Sequence, residues 1–201
     1  MPQTQKPEVR ARILAAALEA FASEGYLGAT MAGIASRADL GAASLYRYYP
    51  TKESLFEAAI PGEVVDGFRD LLTRRVKSLA AARRGSVDPT GEEMLRFWVR
   101  HRLEVVVLLD RAEGTRHGAF GEWFVGELVN LTTDQLRIAS PGLRLGAPDR
   151  FVLRRIFENT RSMLAAILEK HADEASLREA VSSFWSYQTA GLRGFAARVA
   201  K

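Results

Sequence analysis

Residues 30–50 constrain the fold more than any other stretch. Thr30 suits a helix N-cap, because its hydroxyl can reach an unpaired amide of the first turn. Met31 to about Ala38 gives a short helix, and Ala38-Asp39-Leu40-Gly41 gives a tight turn. A third helix runs from about Ala42 to Tyr49 and stops at Pro50. Two short helices joined by a turn of three or four residues make a helix-turn-helix. Ile34, Ala35, Leu40, Leu45 and Tyr49 are spaced to pack against a preceding helix, and Leu45 and Tyr49, four apart, share one face. Ala42, Ala43, Tyr46 and Arg47 then face outward, with Ser44 and Tyr48 beside them. Two tyrosines and an arginine on one exposed face suit a helix laid in a major groove.

The rest of the chain also reads as helix. Ala, Leu, Arg and Glu dominate, and the breaks are short Gly/Pro/Asp clusters. The expected class is all-α. A first helix begins near Pro7 with an apolar stripe of Ile13, Leu14, Ala17, Leu18 and Phe21, and ends at Gly25. Thr51 caps a fourth helix that starts at Lys52 and runs toward Arg84, with a kink or break expected at Pro61-Gly62. Residues 85–91 read as a loop. Further helices are expected over about Glu92–Ala112, Ala119–Ala139, Asp149–His171 and Glu174–Val199, with breaks at 114–118 and 140–148.

Composition narrows the function classes. The chain has no cysteine, which removes disulfides, thiolate metal sites and cysteine nucleophiles. Its three histidines, His101, His117 and His171, are too far apart for a short metal motif, so no metal and no cofactor is expected. No unbroken apolar run is longer than that from Met163 to Leu168, far short of a membrane span. A protein of the cytoplasm with no membrane partner is expected. The net charge is +4, and residues 1–84 hold 12 basic against 9 acidic residues. That excess suits a polyanion partner and, equally, a solvated surface. Hydrolase, zinc-protease, P-loop and dinucleotide signatures are missing, so an enzyme is not expected.

Thr30-Met31-Ala32-Gly33-Ile34-Ala35, Ala38-Asp39-Leu40-Gly41 and Leu45-Tyr46-Arg47-Tyr48-Tyr49-Pro50-Thr51-Lys52-Glu53-Ser54-Leu55, preceded by Ala20 to Tyr26, resemble the N-terminal domain of the TetR family of bacterial transcriptional regulators. The resemblance covers about residues 8–58. It implies a three-helix DNA-binding domain at residues 1–51 and a helical effector-binding and dimerisation domain at residues 52–201. Two departures stand out: Asp39 where the family has glycine, and Gly41 where it has a hydroxyl cap. Aspartate tolerates the left-handed conformation, and glycine caps only a few tenths of a kcal/mol less well. By resemblance, Tyr46, Tyr48 and Lys52 touch DNA, and Ala42, Ala43 and Ser44 lie where base edges are read. Thr30 sets its helix N-terminus toward a phosphate, and Arg47 reaches a guanine or a phosphate, or is solvated.

The resemblance further implies a ligand-responsive repressor bound to double-stranded DNA at a palindromic operator and released by a small molecule. The expected pocket residues among the middle helices are Trp98, His101, Arg102, Phe120, Trp123, Phe124 and Asn159. The last two helices carry apolar stripes and should form a homodimer through Phe157, Leu164, Phe184, Gln188, Gly191 and Phe195. The same aromatic and apolar residues also suit a monomer core. A regulator without an effector would instead have a filled C-terminal core.

Overall fold

The computed structural model describes residues 6–81 and 89–200, with side chains except at 79–81. Among these residues every regular element is helical. They are α1 (Pro7–Gly28), α2 (Met31–Arg37), α3 (Ala42–Tyr48), α4 (Lys52–Ala59), α5 (Gly62–Ala81), α6 (Pro89–Arg100), α7 (Arg102–Val106), a π-helical turn (Val107–Arg111), α8 (Phe120–Ala139), α9 (Ala147–Lys170) and α10 (Glu174–Val199). Arg84 and residues 85–88 of the expected loop lie outside the described residues.

The local signals act as expected at the amino end. Gly25 breaks α1 with φ 72°, a conformation costly for a side chain with Cβ. Thr30 caps α2 by accepting from the Gly33 amide at 3.1 Å. Asp39 takes φ 53° in the turn, as a short polar side chain permits. Thr51 and Ser54 form a reciprocal capping box on α4, each side chain accepting from the other's amide. Ile13, Phe21, Ile34, Leu45 and Leu55 are fully buried between these helices.

The expected fourth helix is two helices. Pro61 cannot continue the hydrogen-bond ladder, so α4 ends at Ala59 and α5 starts at Gly62. The expected fifth helix divides as well. It starts at Pro89, breaks at His101 (φ −117°) and widens into the π-helical turn. Val105 to Leu109 are all buried there. The turn packs against α1, α8 and α9. A Cβ on Gly121 of α8 would overlap the Leu109 carbonyl, so that approach requires glycine. Farther on, Phe68 of α5 lies among Phe97, Phe120 and Phe124 at centroid distances of 5.7, 5.6 and 5.9 Å.

Candidate nucleic-acid interface and cavity

The outward face of α3 is as its spacing implied. Ala42, Ala43 and Arg47 are exposed, Tyr46 is 49% exposed, and Ser44 and Tyr48 are half-buried. Leu45 and Tyr49 turn inward and are buried. Arg47 donates to the Ser44 hydroxyl at 3.2 Å, one turn back on the same face. The Tyr48 hydroxyl accepts from the Lys6 amide at 3.4 Å, which leaves its own proton to donate. Arg10 is committed inward, with its Nε on the Tyr49 hydroxyl at 3.0 Å. Thr30 stands exposed at the α2 N-terminus, where unpaired amides and the helix dipole favour a phosphate.

Lys52, expected at DNA by resemblance, is hydrogen-bonded within the protein. Its ammonium donates to the carbonyls of Tyr26 at 2.7 Å and Ala29 at 3.0 Å, with Leu27 at 3.5 Å. It also lies 4.4 Å from the centre of the Tyr26 ring. These groups are the orphan carbonyls where α1 ends, so Lys52 ties α4 to that end. Its donors are spent inside the protein. Only the field of its charge reaches outward.

Behind α4, Phe56 meets Phe21 at 5.3 Å and Tyr26 at 5.1 Å, with the His117 ring at 6.4 Å. Glu57 pairs with Arg116 at 3.2 Å. The helix-turn-helix therefore rests on the turn between the π-helical segment and α8. Burial, with the nearby Arg116 and Arg69 charges, holds His117 below its ordinary pKa. Burial and then the Glu53 charge push Tyr26 up.

The second feature is a partly open cavity of about 540 Å³ between α5, α6, α8, α9 and α10. Leu72, Val76, Met94, Leu95, Leu128, Leu164 and Val181 supply apolar lining, with the rings of Trp98, Phe124, Phe184 and Trp185. Arg75, Thr160, Arg178, Ser182, Ser186 and Thr189 supply the polar part. Of the expected pocket residues, Trp98 and Phe124 line it. The other five are engaged elsewhere. His101 faces Glu104 at 3.3 Å and packs on Phe97. Arg102 donates to the Leu168 carbonyl at 2.7 Å and fastens α7 to the end of α9. Phe120 fills the aromatic core, Trp123 packs on Phe120 with Arg69 over its ring at 5.1 Å, and Asn159 is exposed. Missed from the sequence was the α10 wall: Phe184 is expected at the dimer face, and Trp185 and Ser186 lie off the apolar stripe.

The residues expected at a dimer interface also divide. Phe157, Leu164, Gln188 and Phe195 are buried within the chain, and Gln188 donates to the Thr160 hydroxyl at 2.8 Å. Gly191 is exposed with open space around it, and Phe184 is half-buried. The exposed apolar residues of α9 and α10 are instead Phe151, Val152, Met163 and Tyr187, the last 75% exposed.

An outward-facing α3 on a helix-turn-helix, backed by a hollow helical body, defines the chain as a helix-turn-helix DNA-binding protein. Residues 13–59 match the family model of bacterial regulatory proteins of the tetR family. The matched segment is the helix-turn-helix, so this domain is similar to the DNA-binding domain of those regulators. No curated protein matches it. Among solved structures, NalD, the secondary repressor of the MexAB-OprM multidrug efflux pump of Pseudomonas aeruginosa, is similar at 17% identity; 89% of this chain and 95% of that one are covered, with a TM-score of 0.42. GusR of Salmonella enterica is similar at 21% identity over 96% and 98% of the two chains, TM-score 0.43. A tetR-family transcriptional regulator of Streptomyces coelicolor is similar at 16% identity over 98% and 90%, TM-score 0.43. Among the described residues no helix is long and apolar enough to cross a membrane.

Proposed function

We propose that this protein is a homodimeric repressor that leaves a palindromic operator when a small molecule occupies the cavity. The observation that carries this reading is the hollow between α5, α6, α8, α9 and α10 in the same chain as a groove-reading α3. Its volume lies within the ordinary range for small-molecule sites. A regulator without an effector would have that space filled.

The dimer forms through the faces of α9 and α10 that the chain leaves uncovered. Val152, Met163 and Ala166 on α9, with Tyr187, Gly191 and Gly194 on α10, make up that surface. A two-fold pair places its α3 helices on half-sites about one helical turn, roughly 34–36 Å, apart. Tyr46, Tyr48 and the α2 N-terminus hold phosphates, while Ala42, Ala43 and Ser44 meet base edges and Arg47 either. We place the junction of the two regions at Ile60–Pro61 rather than at residue 51, because α4 packs on α1.

Besides the packing of α1 on α7 and of α4 on Arg116 and His117, two contacts can carry a signal between the regions. One is the α4–α5 joint at Pro61-Gly62. The other is the π-helical turn, which touches α1 on one side and the cavity-lining helices α8 and α9 on the other. A ligand needs only a differential affinity for the two states, usually about 1–3 kcal/mol.

The test begins with DNA fragments selected by the purified protein. The recovered site should be palindromic, and affinity should fall steeply with salt. Asymmetric sites bound by monomers would defeat the dimer reading. The joint is tested by Pro61→Ala with Gly62→Ala, which the open space at Gly62 tolerates. The double variant should alter how a ligand changes DNA affinity and leave ligand binding nearly intact. Unchanged induction would assign the signal to the contacts of α1 and α4 with residues 102–117.

A further inference from the structure

The cavity and the uncovered face of α9 and α10 lie back to back. On that face, between the two helices, runs a groove of about 460 Å³ whose lining includes Ile156, Met163 and Tyr187. Thr160 and Phe184 line both spaces, so at these two positions the wall between them is one residue thick.

That wall has a polar seam. Among the described residues, Thr160 and Gln188 are the only buried polar residues that are not aromatic. Gln188, which lines the groove, donates to the Thr160 hydroxyl at 2.8 Å, and that hydroxyl donates on to the Ile156 carbonyl at 2.9 Å. The seam ties α10 to α9 where the wall is thinnest. Phe184, in the same wall, is half-buried. A ring with a space on each side forfeits dispersion contacts on both. Filling either space holds the ring, and the second occupant then meets a wall that is already ordered.

The chemistry of the groove selects its cover. Charged residues make up 26% of the chain, yet none lines the groove. Such a lining suits the centre of a protein–protein contact and not nucleic acid or a charged peptide. Tyr187 in the lining is 75% exposed, a ring of the kind that fills such a groove. Groove and ring lie on one face. A two-fold pair of this chain sets that face against itself and so supplies the cover.

Resting on the readings of the cavity as an effector site and of this face as the dimer contact, we infer that the second subunit completes the effector site. It holds Phe184 and the Thr160–Gln188 seam from behind, and an effector holds them from the front. Dimerisation and effector binding therefore favour each other. The effector releases DNA from an intact dimer and does not split it. Ordering side chains such as these in advance corresponds to about three- to tenfold in affinity per cavity. Two cavities fill in a dimer, so saturation should lower the dimer dissociation constant by about ten- to hundredfold.

The probe is N-phenyl-1-naphthylamine, an uncharged apolar fluorophore that brightens out of water. It is titrated into the wild-type dimer and into the monomers Tyr187→Glu and Met163→Glu. Both substituted residues are exposed and line the groove but not the cavity. The probe should bind each monomer about three- to tenfold more weakly than the dimer. Agreement between the two variants, on different helices, assigns the loss to the missing subunit. Tyr187→Ala, a milder change that brings association into the measurable range, should show the ten- to hundredfold tightening of the dimer in sedimentation with saturating probe, about as linkage requires. Val181→Trp, which sets a ring in the cavity wall, should abolish uptake. Equal or tighter binding to the monomers overturns the inference, as does a probe that splits the Tyr187→Ala dimer. In either case the cavity still binds small molecules, and the proposed function stands. Wild-type protein that sediments as monomer refutes the dimer reading and the inference with it. Uptake that survives Val181→Trp, or no uptake at all, refutes the effector site itself.

Discussion

Replacing Lys52 by methionine keeps the length and apolar stem of the side chain and removes only the ammonium. Two good hydrogen bonds are lost, to the carbonyls of Tyr26 and Ala29. The Leu27 contact at 3.5 Å is marginal. Bonds from a charged donor contribute about 1.5–3 kcal/mol each, less where water can replace them, and Lys52 is only half-buried. The cation over the Tyr26 ring adds about 0.5–1 kcal/mol. The expected loss is therefore about 2–4 kcal/mol. For a domain of this size that lowers Tm by roughly 5–15 °C. Differential scanning calorimetry of Lys52→Met without DNA measures it. Fluorescence anisotropy across a salt series then separates the two roles of the residue. A structural tie predicts a lower Tm and a log–log salt slope reduced by less than one unit. An unchanged Tm, with the slope reduced by about one unit, would identify Lys52 as a phosphate contact and refute the tie.

Three other outcomes follow from the packing. Met163→Glu or Tyr187→Glu should turn the dimer into monomer in analytical ultracentrifugation, whereas Phe157→Ala should cost about 3–5 kcal/mol of stability through a cavity and leave association intact below the transition. His117 titrates lower when folded than its ordinary value of 6.5, so the unfolded chain holds more protons in the window just below that value. Its contribution is complete above about pH 6.5 and is lost as pH falls below it; His117→Gln should flatten the change in urea midpoint between roughly pH 7.5 and 5.5. Gly121→Ala should destabilise the protein by about 1–3 kcal/mol in denaturant titrations, because its methyl group collides with the Leu109 carbonyl. Full stability in that variant would show that α8 can withdraw from the π-helical turn.

Features that act within a few residues were legible in the sequence. Thr30, Thr51 and Pro61 cap or stop helices through their own backbone neighbourhood, and Asp39 adopts its left-handed turn for the same reason. The helix-turn-helix was legible because its apolar and exposed positions alternate cleanly on short helices. The C-terminal body was less so. On α9 the run Phe151, Val152, Ile156, Phe157, Met163 and Leu164 is apolar on two sides of the helix. Periodicity could not assign Phe157 and Leu164 to the interior and Val152 and Met163 to the surface. The cavity wall on α10 was hidden for the same reason. The Lys52 tie was hidden because its partners lie more than twenty residues earlier and are backbone atoms, which leave no mark on side-chain pattern. The π-helical turn was invisible because Val105 to Leu109 are buried all round and carry no period.

That turn has a consequence for ancestry. A π-helical turn holds one residue more than the α-helix it interrupts, and each residue of α-helix advances the chain by about 100°. A descendant that lost one residue from Val107–Arg111 would regain an ordinary helix and swing residues 112–119 to another side. Arg116 and His117 would then miss Glu57 and Phe56. Point substitutions can accumulate around this seam one at a time, but a single deletion there must be answered at once on α4. DNA-reading domains should therefore be interchangeable among relatives that share the wide turn. Grafted onto a body without it, this domain would meet a surface cut for a different key.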